Sequence, residues 1–167
     1  MSRSPIHLVS RFFDVALSRP LDPTERATVA LWLEPKLFEL FRQQPVADQR
    51  HAYRGAQVVV EAGREDLCPA VLMHDVGKRH SGLGVFGRVF ATLAAYLGIS
   101  GGNSFRVHNN HGPIGAKELE KRNADELVVE FAHFHAGERP ESIDPETWDL
   151  LLMADSPPKP RALLSGR

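Results

Sequence analysis

The chain has 167 residues, of which 43% are hydrophobic and 25% charged, a balance that excludes disorder and is sufficient for a core of its own. Lys and Arg number 20 and Asp and Glu 21, so the net charge is -1 and no global basic field is available to hold nucleic acid or an anionic membrane non-specifically. The single cysteine, Cys68, excludes an internal disulfide and a cysteine-rich zinc site; it reads as a small core residue in a reducing, cytoplasmic setting.

The start of the chain leads into an amphipathic stretch and not into a signal-peptide core, and the longest apolar run, 89–99, is far shorter than the roughly 20 residues needed to cross a bilayer. Helical periodicity dominates from there. A first helix is expected over 5–17, with Leu8, Val9, Phe12, Phe13 and Ala16 on one stripe and Pro20 as its breaker. Asp22, Pro23 and Glu25 supply an N-cap, a proline at the first helical position and an acid in the first turn, opening a helix to about residue 33. A short helix follows through Leu37, Leu40 and Phe41. The next runs over 46–62 and stops at Gly63, and another runs over 65–76 and ends at Gly77. Residues 85–97 are helix-like and 98–104 form a glycine-rich loop. Helices are expected over 113–121, over 124–135 with Gly137 and Pro140 as its stop, and from Asp144-Pro145 to Asp155. No stretch alternates as a strand would. The expected architecture is all-α: one compact helical bundle of eight or nine helices over 1–155, with a core at 46–155, helices of 5–43 packed on it, and a loose Pro-rich basic tail at 156–167.

Several polar residues lie on the apolar stripes of these helices. His74 shares a face with Leu67, Ala70 and Val71, and Asp75 follows it; Asp155 shares a face with Trp148, Leu151 and Leu152. An ionised carboxylate on such a stripe needs a partner, which in the ordinary case is an arginine or backbone amides. His133 and His135 sit about 200° apart on a helix. His135 continues the stripe of Val128 and Phe131, whereas His133 continues the polar face of Glu126 and Glu130. His111 precedes Gly112-Pro113 at a helix N-terminus, His51 shares a face with Ala47, Gly55 and Val58, and Arg54 lies one turn further on. His7 and His80 read as surface residues. The set His51, His74, Asp75, His111, His135 and Asp155 comprises four imidazoles and two carboxylates on five helices, a mixed N/O donor set that suits Fe, Mn, Zn, Ni or Co.

At Leu72-Met73-His74-Asp75-Val76-Gly77-Lys78 the chain resembles the HD superfamily of metal-dependent phosphohydrolases, whose pattern is a His, an adjacent His-Asp on the next helix and a distant Asp. Here those are His51, His74 with Asp75, and Asp155, in the right order over about two thirds of the chain. His111-Gly112-Pro113-Ile114-Gly115-Ala116 resembles the His-x-x-x-Gly-Ala element of the two-metal branches, which include the HD-GYP cyclic-dinucleotide phosphodiesterases and the di-iron dinucleoside-tetraphosphate hydrolases. Where those branches carry a further His, often a His-His pair, this chain reads His133-Phe134-His135, and no Gly-Tyr-Pro element follows. The whole chain, including Asp48-Gln49-Arg50-His51, also resembles small bacterial HD-domain proteins of unassigned substrate.

The resemblance implies a hydrolase of a phosphate ester or anhydride, of a nucleotide by preference, using one or two divalent transition metals and a metal-activated water. His51, His74, Asp75 and Asp155 would form one site, and Asp75 would bridge to a second metal on His111 and His135; two such metals about 3.5–4 Å apart clamp a phosphoryl displacement. Lys78 would stabilise phosphate charge beside the catalytic Asp75, its ordinary role being to satisfy a helix C-terminus. The interval 76–117 holds Lys78, Arg79, Arg88, Arg106 and Lys117 and no Asp or Glu, so a basic cover for a small anionic substrate is expected, with Arg54, Arg88 and Arg106 as substrate-binding residues. The competing expectations are a metal-bound HD module that binds a nucleotide without turnover, a structural all-α protein with a polar core, and a di-iron oxygenase. No oligomeric state follows from the sequence.

Overall fold

Residues 18–81 and 111–157 are described by the computed structural model of the chain. The expected helices over 5–17 and 85–97, the loop 98–104 and nearly all of the tail lie outside them.

The capping signals place the first elements. Asp22 accepts from the Glu25 N–H at 2.8 Å and Glu25 accepts from the Asp22 N–H at 2.8 Å, a reciprocal box that opens α1 (Pro23–Trp32). A second proline start opens α2 (Pro35–Arg42), which buries Leu37, Leu40 and Phe41. The long helix α3 (Val46–Glu61) turns Ala52, Gly55, Ala56 and Val59 inward and ends before Gly63, whose φ of 72° a side chain would strain. One 3-10 turn (Glu65–Leu67) then leads into α4 (Cys68–Met73), and a 3-10 segment (Val76–Ser81) follows it. Beyond residue 110 come α5 (His111–Glu120), α6 (Glu126–Phe134) and α7 (Pro145–Asp155), the last capped by Asp144 accepting from the Thr147 N–H at 2.9 Å. The described residues form seven α-helices and no strand, an all-α architecture.

Short α4 is the centre of the packing. Cys68, Ala70, Val71, Leu72 and Met73 are all buried, as expected of a helix covered on every side, and it meets α2, α3, α6 and α7. One apolar cluster draws on every helix: Val29, Leu40, Phe41, Val59, Leu72, Leu119, Phe131 and Leu151 belong to it. Cys68 lies fully inside, and burial pushes its thiol up to about 12, which keeps it an inert core group. Arg50 ties the start of α1 to α3: it pairs with Glu25 at 2.5 and 2.8 Å and donates to the carbonyls of Arg19 and Pro20 at 3.1 and 2.7 Å. That contact holds the residue next to His51.

One expected element is different. The helix over 65–76 is broken: its α-helical part ends at Met73, and after a turn at His74 and Asp75 the chain tightens to 3-10, with the Lys78 N–H donating to the Asp75 carbonyl at 2.9 Å. The tightened segment packs closely on α5: Gly77 passes so near it that a Cβ there would overlap the His111 carbonyl. A smaller shift concerns α5, which already includes His111, two residues before its expected start.

Candidate metal centre

The six candidate ligands, His51, His74, Asp75, His111, His135 and Asp155, come together. His51 projects from the second turn of α3, His74 and Asp75 from the turn after α4, His111 from α5, His135 from the C-cap of α6 and Asp155 from the last position of α7. They join two adjacent groups. Around Asp155 stand His74, with Nε2 2.9 Å from Oδ1, and His51, with Nε2 3.5 Å from the same oxygen. Around Asp75 Oδ1 stand His111 Nε2 at 3.2 Å and His135 Nε2 at 3.5 Å, themselves 3.1 Å apart. His74 links the groups, its Nε2 lying 3.4 Å from Asp75 Oδ2.

Tautomers follow from the backbone. His74 Nδ1 lies 2.7 Å from the Val71 carbonyl, and His135 Nδ1 lies 3.0 and 3.2 Å from the carbonyls of Ala132 and Phe131. A carbonyl only accepts, so each Nδ1 carries a hydrogen and donates it, which leaves Nε2 to face the cluster. In a neutral ring that atom is a lone pair, and here it faces other lone pairs. His74 Nε2 and Asp75 Oδ1 are buried and have no hydrogen-bond partner despite these short distances. Lone pairs do not gather inside a protein unless a proton or a cation sits among them.

Electrostatics points the same way. Burial opposes charge on His74, but the Asp75 and Asp155 carboxylates outweigh it and push its pKa up to about 10. Burial would raise Asp75, yet His74, Lys78, His111 and His135 hold it well below its ordinary value. Asp155 is likewise held far below the usual carboxylate range, burial being overcome by His51 and His74. Burial lowers His135, which keeps that ring neutral and suited to ligation.

The donor set fits a divalent ion. Two atoms bound to one ion at about 2.1 Å stand about 3.0 Å apart at a right angle and about 3.4 Å apart at a tetrahedral one. The separations here span 2.9 to 3.5 Å. Among the described residues two groups could hold an ion, one of His51, His74 and Asp155 and one of His74, Asp75 and His135, and His111 closes the second through its contacts with Asp75 and His135. Outer contacts are present as well, since the Nδ1–carbonyl bonds of His74 and His135 fix both rings.

The remaining expected residues divide. His133 is exposed, as its polar face requires, and its ring stacks on Phe134. Lys78 is at the site: its ammonium pairs directly with the Asp75 carboxylate. Arg54 is exposed on α3 one turn beyond His51 and outside the cluster, and Arg88 and Arg106 lie outside the described residues. The basic interval is less free than its composition suggests. Carboxylates just beyond its two ends take up two of its cations: Asp75 pairs with Lys78, and Glu118 pairs with Arg79 at 2.5 Å and with His80 at 3.1 Å. His80, read as a bare surface residue, therefore has company. Glu118 was not singled out from the sequence, although it sits seven residues after His111 on the same helix face.

Comparison with protein-family models, with curated proteins and with solved structures gave no match. Among the described residues, no helix is long and apolar enough to cross a membrane.

Proposed function

We propose that the chain is a metal-dependent phosphohydrolase of the HD type that cleaves a phosphate ester or anhydride of a nucleotide. The observation that carries this is the convergence of four imidazoles and two carboxylates, with the ligand atoms of His74 and Asp75 buried at its centre. His51, His74 and Asp155 would hold one divalent ion, and Asp75, His111 and His135 a second. Fe, Mn, Zn, Ni and Co all suit these N/O donors. The bound metal supplies Lewis acidity and a water of lowered pKa for attack on phosphorus.

The chain's own residues do the rest. The Asp75 carboxylate holds the Lys78 ammonium beside the cluster, where it can meet phosphate oxygens as charge builds on them. His51 and Asp155 are about a quarter exposed, with side chains at 25% and 23%, while Asp75 is at 3%, so the substrate would arrive on the His51–Asp155 side. Arg54, exposed one turn from His51, is on hand there for a phosphate or a ribose.

The test is elemental analysis of purified protein and of an Asp75→Ala variant, followed by a screen of nucleotides and dinucleotides with the metal found. Transition metal near two equivalents, falling to about one in the variant, and turnover of a phosphate compound are expected. A protein that takes up no Mn, Fe, Co, Ni or Zn is not this enzyme. A second reading draws on the Lys78–Asp75 pair, which takes up the charge of the lysine: a metal-bound module that binds a nucleotide without turning it over. Loaded protein that binds nucleotides and is inert toward all of them would favour it.

A further inference from the structure

The 3-10 segment Val76–Ser81 and α5 meet along one face of α5, formed by His111, Gly115 and Glu118 at i, i+4 and i+7. At the near end the backbones touch. A Cβ on Gly77 would collide with the His111 carbonyl and stand 2.8 Å from the Gly115 nitrogen, and a Cβ on Gly115 would stand 3.0 Å from the Gly77 nitrogen. At the far end the contact is ionic. The Glu118 carboxylate takes Arg79 Nη2 at 2.5 Å, Arg79 Nε at 3.1 Å and His80 Nε2 at 3.1 Å, and the Arg79 and Glu118 side chains are only 15% and 18% exposed. Arg79 also donates to the Gln43 side chain after α2.

This seam divides the second group of the metal centre. Asp75 stands on one side of it and His111 on the other, 3.2 Å apart. The glycine approach sets the distance between the two backbones at the near end of the seam, and α5 is held on its other side by α6. One residue of slip is about 1.5 Å of rise, enough to take His111 Nε2 out of reach of Asp75. The forked Arg79–Glu118 contact is directional and resists that slip. The first group, His51, His74 and Asp155, is held by α3, α4 and α7 and does not cross the seam.

We infer that Glu118 is a positioning residue: by clamping Arg79 and His80 it sets the register of α5 against the Asp75 segment, and so governs the ion affinity of the Asp75–His111–His135 group and not that of the His51–His74–Asp155 group. This rests on the metal centre proposed above. Cobalt(II) is the probe, titrated into metal-free full-length protein and read by its visible absorption and by bound equivalents, with circular dichroism and the melting temperature as folding controls. Wild-type protein should bind two equivalents. Glu118→Gln should bind the first as wild type does and the second about ten-fold or more weakly, the scale of outer-contact losses. Glu118→Asp, which keeps the charge but shortens the reach, should fall between, and the exchange Glu118→Arg with Arg79→Glu should recover much of the second affinity. Two unchanged equivalents in Glu118→Gln overturn the positioning role alone. An equal weakening of both ions, or an exchange that recovers nothing, also overturns it. Wild-type protein that binds fewer than two ions overturns the two-metal reading itself, and this role with it.

Discussion

The imidazole of His74 has a carbonyl behind it and two carboxylates in front, and in the metal-free protein a proton answers the second demand. Its folded pKa, about 10 against an ordinary 6.5, has a signed consequence. The charged ring contributes stability that is fully present below pH 6.5 and is lost as pH rises toward 10. Asp75 and Asp155, held low, contribute stability that is present above their ordinary 3.8 and lost as pH falls below it. Metal-free protein should therefore be most stable between about pH 4 and 6.5 and lose stability steadily toward pH 9. A bound cation replaces that proton, so the loaded protein should show a much flatter alkaline limb. Urea midpoints at pH 6 and pH 9, with and without metal, check this; parallel curves would mean that His74 carries no such charge. Asp155→Ala should abolish ion binding in the His51–His74–Asp155 group and remove the upward push on His74 from one side, a loss of well over ten-fold readable by cobalt titration. At this scale the sequence was informative wherever helical geometry separates neighbours. His135 falls inward and His133 outward because they are about 200° apart on one helix.

Elements were legible where a cap marks their ends. Asp22-Pro23 and Asp144-Pro145 start α1 and α7 as their side-chain bonds to the third residue require, and Gly63 terminates α3 in a left-handed conformation that suits a residue without a Cβ. The break at Met73 was not legible, because nothing local demands it: His74 keeps right-handed helical dihedrals, and the 3-10 segment after it is packed on α5, a partner far along the chain. Glycines at such crossings carry more of the site than the apolar pattern shows. Gly55 is one: a Cβ there would stand 2.5 Å from the Ala154 carbonyl and 2.8 Å from Val71 Cγ1. The first neighbour is backbone and cannot rotate away, so Gly55→Ala must push α3 from α7. The cost should be about 1–3 kcal/mol, the range for overpacked cores. Because His51 and Asp155 sit on those two helices, the same change should also weaken the first ion. Arg54→Ala, next to it and exposed, should stay within about 0.5 kcal/mol of wild type. Urea midpoints and cobalt titration of both variants decide it; if Gly55→Ala keeps wild-type stability and affinity, the crossing does not set the site.

For the molecule as a whole, the His/Asp cluster is a clasp between distant parts of one chain. His51 and Asp155 are separated by 104 residues, and between them the chain passes through the core more than once. The identity of the six converging residues was legible in the sequence; what was not legible is how the basic interval 76–117 is balanced, since Asp75 and Glu118, the carboxylates that pair with its Lys78 and Arg79, stand just outside it. That convergence fixes how metal should act on stability. An ion that binds the folded cluster and not the unfolded chain stabilises by mass action, about 2.7 kcal/mol per site when free metal is a hundred times the dissociation constant. All seven described helices share one apolar cluster, so no part of that core is free to melt alone. The expected result is a single thermal transition that moves upward as a whole on metal addition and returns on chelation. In Asp75→Ala the upward move should be roughly halved, because that change removes the carboxylate around which His111 and His135 gather and leaves the His51–His74–Asp155 group in place. A transition that splits on loading would show that the ion holds only one part of the chain. One that does not move at any metal concentration would show that protons alone balance the cluster, and the site would then be a polar core and not a catalytic one.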